Sequence, residues 1–267
     1  HVHAGLQVLE GARHAQVLPV CGISLGYVGL GASMHIAALN LLIPSSGARP
    51  HAMQPSFSAL LTRFAHAQRT LWRDAPGGLS LGVTTLFWGA GATLQFVVLA
   101  WAQDNLSLSL SHAAYLQGVV AIGIGVGALA AGRWVRLHQA PRVLPLGVLM
   151  GACVPLLTLV HSVSVAAPLL ATVGALAGFF VVPMNALLQH RAQRLLGSGE
   201  SIAVQNFNEN LAVLAMLAAY AGLQAAAWPL PRLVLLLGTV VAVGVVLVIW
   251  RLRSRAARGM LWLKEQA

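Results

Sequence analysis

Seven apolar stretches, 17–43, 79–103, 112–135, 143–161, 166–189, 203–227 and 232–250, constrain this chain more than any motif in it. A membrane-crossing helix needs about 20 predominantly apolar residues, which is the length of each stretch. Only 8% of the residues are charged, against about 25% in soluble domains. Inside a bilayer every backbone N–H and C=O must be satisfied within the protein, and continuous apolar runs meet that demand as helices. The expected fold is therefore all-α and integral to the membrane, with seven transmembrane helices.

The segments between the stretches orient them. Residues 44–78, 133–142, 190–201 and 251–267 alternate to one side and hold fourteen of the sixteen Lys and Arg residues, leaving only Arg13 and Arg232 opposite. The positive-inside rule puts that side, with the C-terminus, in the cytoplasm. This topology accounts for the basic excess without nucleic-acid binding. Residues 44–78 form the longest polar segment, yet Phe57, Leu60, Leu61, Phe64 and Leu71 recur in it at helical spacing. That pattern predicts an amphipathic helix on the membrane surface or against a partner helix. The division expected is a first helix within 1–43, a cytoplasmic linker at 44–78, a six-helix bundle at 79–250 and a basic tail at 251–267. Such a layout fits the second half of a twelve-helix transporter plus one preceding helix, and the start at His1 suggests a fragment of a longer protein. Cys21 and Cys153 have no metal-site or disulfide-framework spacing.

One hairpin, Gly178 to Val213, breaks the apolar monotony. It carries Asn185, Gln189, Gln205, Asn206, Asn208, Glu209 and Asn210 inside or beside hydrophobic helices. Polar side chains at membrane depth are costly, and they mark candidate sites. At 100° per residue, Glu209 lies within a polar arc with Gln205 one turn before it, while Asn185 and Gln189 form an i, i+4 pair on the other arm. The substrate-path or gate candidates are Asn185, Gln189, Gln205, Asn206, Glu209 and Asn210. Three readings compete: amides that only hold helices together, groups lining a path for a polar headgroup, and a proton-coupling Glu209. With the sixth helix starting near 203, Glu209 is expected about six residues in, about 9 Å from the cytoplasmic end. That depth favours a cytoplasmic-half gate.

Gly123 and Gly127 make a GxxxG pair, expected to serve close helix packing. Pro183 is expected to loosen the helix ahead of Asn185. Trp101, Trp134, Trp228 and Trp250 are placed as interface anchors. The ten histidines are scattered without a metal-ligand spacing, and no cofactor is implied. A His-x4-Asp pair, GxSxG, a phosphate-binding Walker loop and HExxH are all absent, so no enzyme is expected.

SLGVTTLFWGAGATLQFVVLAWA (80–102), VVAIGIGVGALAAG (119–132), GFFVVPMNALLQ (178–189) and SIAVQNFNEN (201–210), with LWRD at 71–74, resemble the bacterial lysophospholipid transporter family. The resemblance runs in order over about 70–225. It implies the major facilitator superfamily and a flippase-like carrier in the bacterial inner membrane. Such a carrier moves lysophospholipids, chiefly lysophosphatidylethanolamine, to the inner leaflet, where a cytoplasmic-side acyltransferase partner remakes the diacyl lipid. Membrane lipids are then its surroundings. The alternatives are a proton-coupled exporter of hydrophobic compounds and a membrane docking subunit for a lipid acyltransferase.

Overall fold

The computed structural model describes residues 56–265, and these form helices joined by short connections. The first apolar stretch and residues 44–55 lie outside the described residues. The helices are α1 (Phe57–Arg73), α2 (Ala75–Leu106), α3 (Leu110–Trp134), α4 (Leu144–Cys153), α5 (Val163–Leu195), α6 (Ser198–Ala225) and α7 (Leu230–Glu265). Tighter 3-10 turns, Leu137–Val143 and Val154–Leu159, extend α4 at both ends.

Five segments are long and apolar enough to cross a bilayer: Ala75–Leu106, Leu110–Trp134, Leu137–Leu159, Val163–Leu195 and Leu230–Arg251. They make the chain a multi-pass integral membrane protein. Their outward faces carry large apolar side chains such as Ile122, Leu129 and Leu247, as a lipid-facing surface should. The expected count of seven is not reached among the described residues. One stretch lies outside them, and α6, although 28 residues long, falls short in apolar character. Its first half carries the amides and Glu209.

Several boundaries move. Pro76, Gly77 and Gly78, read as linker, form the first turn of α2 instead. Asp74 caps that turn, its Oδ2 accepting from the Gly77 N–H at 2.8 Å, and a proline so near a helix start has no intrahelical bond to break. The linker helix and the bundle are thus joined by a single residue. At the hairpin, α5 runs on to Leu195 and α6 begins at Ser198, so the predicted turn at 190–201 shrinks to two residues. Helix α7 likewise continues through the basic tail to Glu265. Pro183 does not interrupt α5, which is continuous past it.

Packing depends on missing side chains. A Cβ at Gly123 or Gly127 of α3 would collide with the carbonyls of Ala171 and Ala175, and one at Gly174 or Gly178 of α5 with those of Val120 and Ile124. Two GxxxG pairs thus face each other and bring the α3 and α5 backbones together. Gly151 of α4 meets Gly238 and Ala242 of α7 in the same way, and Gly89 of α2 meets Ala212 of α6. Trp101, expected at an interface, is instead 1% exposed within a cluster that includes Ala113, Ala166 and Leu170. The extension of α2 to Leu106 carries it inside, and the alanines leave room for its ring. Trp134 and Trp250 are exposed.

The basic segments gather at one end. The 135–143 turn packs with Leu79, Leu187 and Val248, and Arg251 lies beside Trp72 and Gly78 at the α1–α2 joint. Gly127→Ala should lower stability by about 1–3 kcal/mol through overpacking, whereas Gly125→Ala, with open space at its Cβ position, should raise it by up to about 1 kcal/mol. Thermal unfolding of the two variants in detergent checks the difference in sign.

Candidate functional site

Helix α6 organises the site by turning polar groups in two directions. One face points to α5 and α2. Gln205 Nε2 donates to Asn185 Oδ1 at 2.9 Å and to Glu209 Oε1 at 3.0 Å. Asn185, Gln205 and Glu209, chosen from the sequence, therefore form one half-buried cluster. The other three do not join it. Gln189 is exposed on α5, Asn206 is exposed on α6, and Asn210 turns back to donate to the Asn206 carbonyl at 2.8 Å.

Glu209 lies eleven residues beyond Ser198, about 17 Å into the helix at 1.5 Å per residue. That replaces the expected 9 Å, because α6 starts five residues earlier than its apolar pattern does. The hairpin arms touch near their turn and then part, and α6 packs along α2 rather than along α5.

The second face of α6 carries the residue that the candidate set left out. Asn208 is 7% exposed. Its amide exchanges two hydrogen bonds with Gln68 of α1, donating at 2.8 Å and accepting at 3.1 Å, while Trp72 Nε1 donates to its Oδ1 at 3.3 Å. It also donates to the Val204 carbonyl at 2.7 Å. Phe64 of α1 meets Phe207 edge-on, their ring centroids 5.1 Å apart. Only the C-terminal part of the predicted amphipathic helix is used, with Ala67 and Leu71 buried and Phe57, Leu60 and Leu61 exposed. The signal for Asn208 was its place at −60° from Gln205 on the helical wheel, on the other side of Gln205 from Glu209; its partners lie about 140 residues away and left no local pattern.

Two ion pairs flank this contact. Arg63 reaches Glu200 at 2.9 Å across an exposed surface, an arrangement worth little in water. Arg191 forks onto Asp74 at 2.6 and 3.0 Å, with the Asp74 side chain 15% exposed. Burial alone would raise the Asp74 carboxyl. The Arg191 hydrogen bonds, the Gly77 amide and the guanidinium charge outweigh it and hold that carboxyl below its ordinary value. Asp74 thus caps α2, ends α1 and pins the C-terminal end of α5.

Beside the first cluster opens a cavity of about 720 Å³ among α2 to α7, within the roughly 300–1,000 Å³ usual for ligand pockets. Its wall is apolar, from Phe87, Trp88 and Val213 among others, and Gln95 and Gln117 are its amide-bearing residues. Val213 stands one turn beyond Glu209. Gln117 Nε2 donates to the Gln95 carbonyl at 2.8 Å, tying α3 to α2. The arrangement is a polar cluster adjoining an apolar chamber. It suits an amphiphile.

The chain is similar to proteins named lysophospholipid transporter LplT. It is 43% identical over 204 residues to that of Pectobacterium carotovorum subsp. carotovorum (strain PC1), covering 76% of this chain and 48% of the relative. For Yersinia enterocolitica serotype O:8 / biotype 1B the identity is 44%, over 73% of this chain and 48% of the relative. For Yersinia pestis (strain Pestoides F) it is 40% over 243 residues, covering 82% and 58%. The chain spans about half the length of these relatives. No family model and no solved structure matches it.

Asp74→Ala removes both the cap and the forked pair and should cost about 1–3 kcal/mol near neutral pH. Because the folded carboxyl titrates below the unfolded one, that stability is present above the ordinary carboxylate value of about 3.9 and is lost as pH falls through and below it. Unfolding curves of the wild type and the variant should therefore converge in acid.

Proposed function

The chain belongs to the lysophospholipid transporter family, and on that premise we propose that it is the C-terminal half of a major-facilitator-type carrier for lysophospholipids. The carrier works in the bacterial inner membrane, with the basic end of the bundle and the C-terminus in the cytoplasm. It moves single-chain phospholipid to the inner leaflet, where an acyltransferase on the cytoplasmic side restores the second chain. In this reading α6 crosses the membrane as part of a six-helix bundle. Its amides and Glu209 are tolerated because they face protein and a water-accessible path rather than lipid.

The observation that carries the proposal is the meeting of two surfaces. Asn185, Gln205 and Glu209 are joined by hydrogen bonds, and Val213, one turn on, belongs to the wall of the apolar cavity. A lysophospholipid has the same division. Its glycerophosphate headgroup needs hydrogen-bonding partners, and its acyl chain needs an apolar wall. Glu209 is the natural counter-charge for a headgroup ammonium, and the amides of Asn185 and Gln205 suit glycerol hydroxyl and phosphate oxygens.

A second role for the same residues is supported by Gln205. Its amide bonds to Asn185 of α5 and to Glu209 within α6, so a headgroup that takes the Asn185 or Gln205 amide as its own partner loosens the α5–α6 contact. Binding and the opening of the cytoplasmic side are then one event, with Asn208 and Gln68 keeping α1 attached to α6 as it shifts.

In the full-length protein, Glu209→Gln should reduce uptake of labelled lysophosphatidylethanolamine into vesicles by tenfold or more, on the order of 1.4 kcal/mol of lost recognition. Uptake of lysophosphatidylglycerol, which lacks the amine, should fall much less. Equal uptake of the amine lipid by both proteins would remove the ammonium role from Glu209.

A further inference from the structure

Two cavity glycines have no packing reason to be glycine. A Cβ at Gly91 of α2 or Gly118 of α3 would meet no atom within 4 Å, whereas those at Gly89, Gly123, Gly127, Gly174 and Gly178 would strike a neighbouring helix. Glycine in a helix interior is less stable than alanine, so a helix keeps it against its own preference. Gly125 and Gly222 are open as well, so openness alone does not select a residue. What distinguishes Gly91 and Gly118 is that both form the wall of the 720 Å³ cavity. Gly91 lies between Trp88 and Gln95, and Gly118 follows Gln117, so the two face the chamber from adjoining helices tied by the Gln117–Gln95 bond.

Resting on the lipid reading above, we infer that this cavity takes the acyl chain of the substrate and that Gly91 and Gly118 set how long a chain it admits. Volume supports a single chain. At about 30 Å³ per methylene-sized group, the share of one water in the liquid, sixteen carbons need about 480 Å³ and two such chains about 960 Å³. The cavity has room for the first. Polarity agrees, because the wall is apolar apart from the Gln95 and Gln117 amides. So does position, because Val213 joins the chamber to Glu209 and lets one molecule occupy both.

Chain-length selectivity then rests on two residues that carry no side chain. A Cβ at either position on the cavity wall meets no neighbouring atom, so for a leucine there the expectation is that the fold survives while the chamber shortens. The test uses the full-length protein in nanodiscs and labelled lysophosphatidylethanolamine with an eight-carbon or a sixteen-carbon chain. Gly118→Leu and Gly91→Leu should each weaken binding of the sixteen-carbon lipid by about tenfold or more, as the loss of several buried methylenes implies. Binding of the eight-carbon lipid should stay within about threefold, and the unfolding temperature should not fall. Gly123→Leu, which forces α3 off α5, should instead lower the unfolding temperature and weaken both lipids alike. Unchanged selectivity in folded Gly91→Leu and Gly118→Leu proteins would overturn the chain-length assignment and leave the transport reading standing. A wild type that binds neither lipid would overturn both.

Discussion

In a bilayer, burying an apolar side chain against another helix gains little over leaving it in lipid, so helices hold together by close backbone approach and by polar groups that find partners. The contact between α3 and α5 rests on the first of these. Gly123 and Gly127 face Ala171 and Ala175, and Gly174 and Gly178 face Val120 and Ile124. With α3 and α5 drawn together, the wider spaces fall elsewhere, between α2 and α3 and toward α6. The apolar chamber lies there. Tight packing on one side of the bundle is what leaves room on the other.

Polar pairing does the second part of the work, and α6 is where it concentrates. Gln205 looks to Asn185 and Glu209, while Asn208, three residues on and about one-sixth of a turn short of a full circle, looks to Gln68 and Trp72. The same short sequence thus serves the chamber and the linker helix. Asp74 and Arg191 add a charged clasp at the end of α5, so α1 is fastened both to α6 and to α5. A displacement of α6 would be felt directly by the helix that precedes the bundle.

Much of the site was legible in the residues and part of it was not. Asn185, Gln205 and Glu209 stood out because amides and acids are conspicuous in apolar helices, and helical spacing alone put Gln205 beside Glu209. Gln189, Asn206 and Asn210 were equally conspicuous and do not join the cluster, since composition does not say which way a helix is turned against its neighbours. Asn208 was visible but unassigned, and Asp74 was hidden in what read as a linker, because their partners are remote in sequence. Trp101 was misplaced for a related reason: hydropathy could not tell that α2 runs several residues past the end of its apolar stretch.

The sequence by itself determined the class of solvent, the helical character and the positions of the apolar spans, because the demand that lipid places on every backbone polar group is local and leaves a continuous apolar run as its mark. It also determined the alternation of basic segments and the presence of small residues at close-packing intervals. Only the tertiary structure decided which glycines meet a neighbouring backbone and which open onto a cavity, since both look the same in a helix. It decided too how far the hairpin helices extend, which moved Glu209 from about 9 to about 17 Å along its helix, and which amides find one another. These are questions of helix rotation and length, set by side chains from several helices at once.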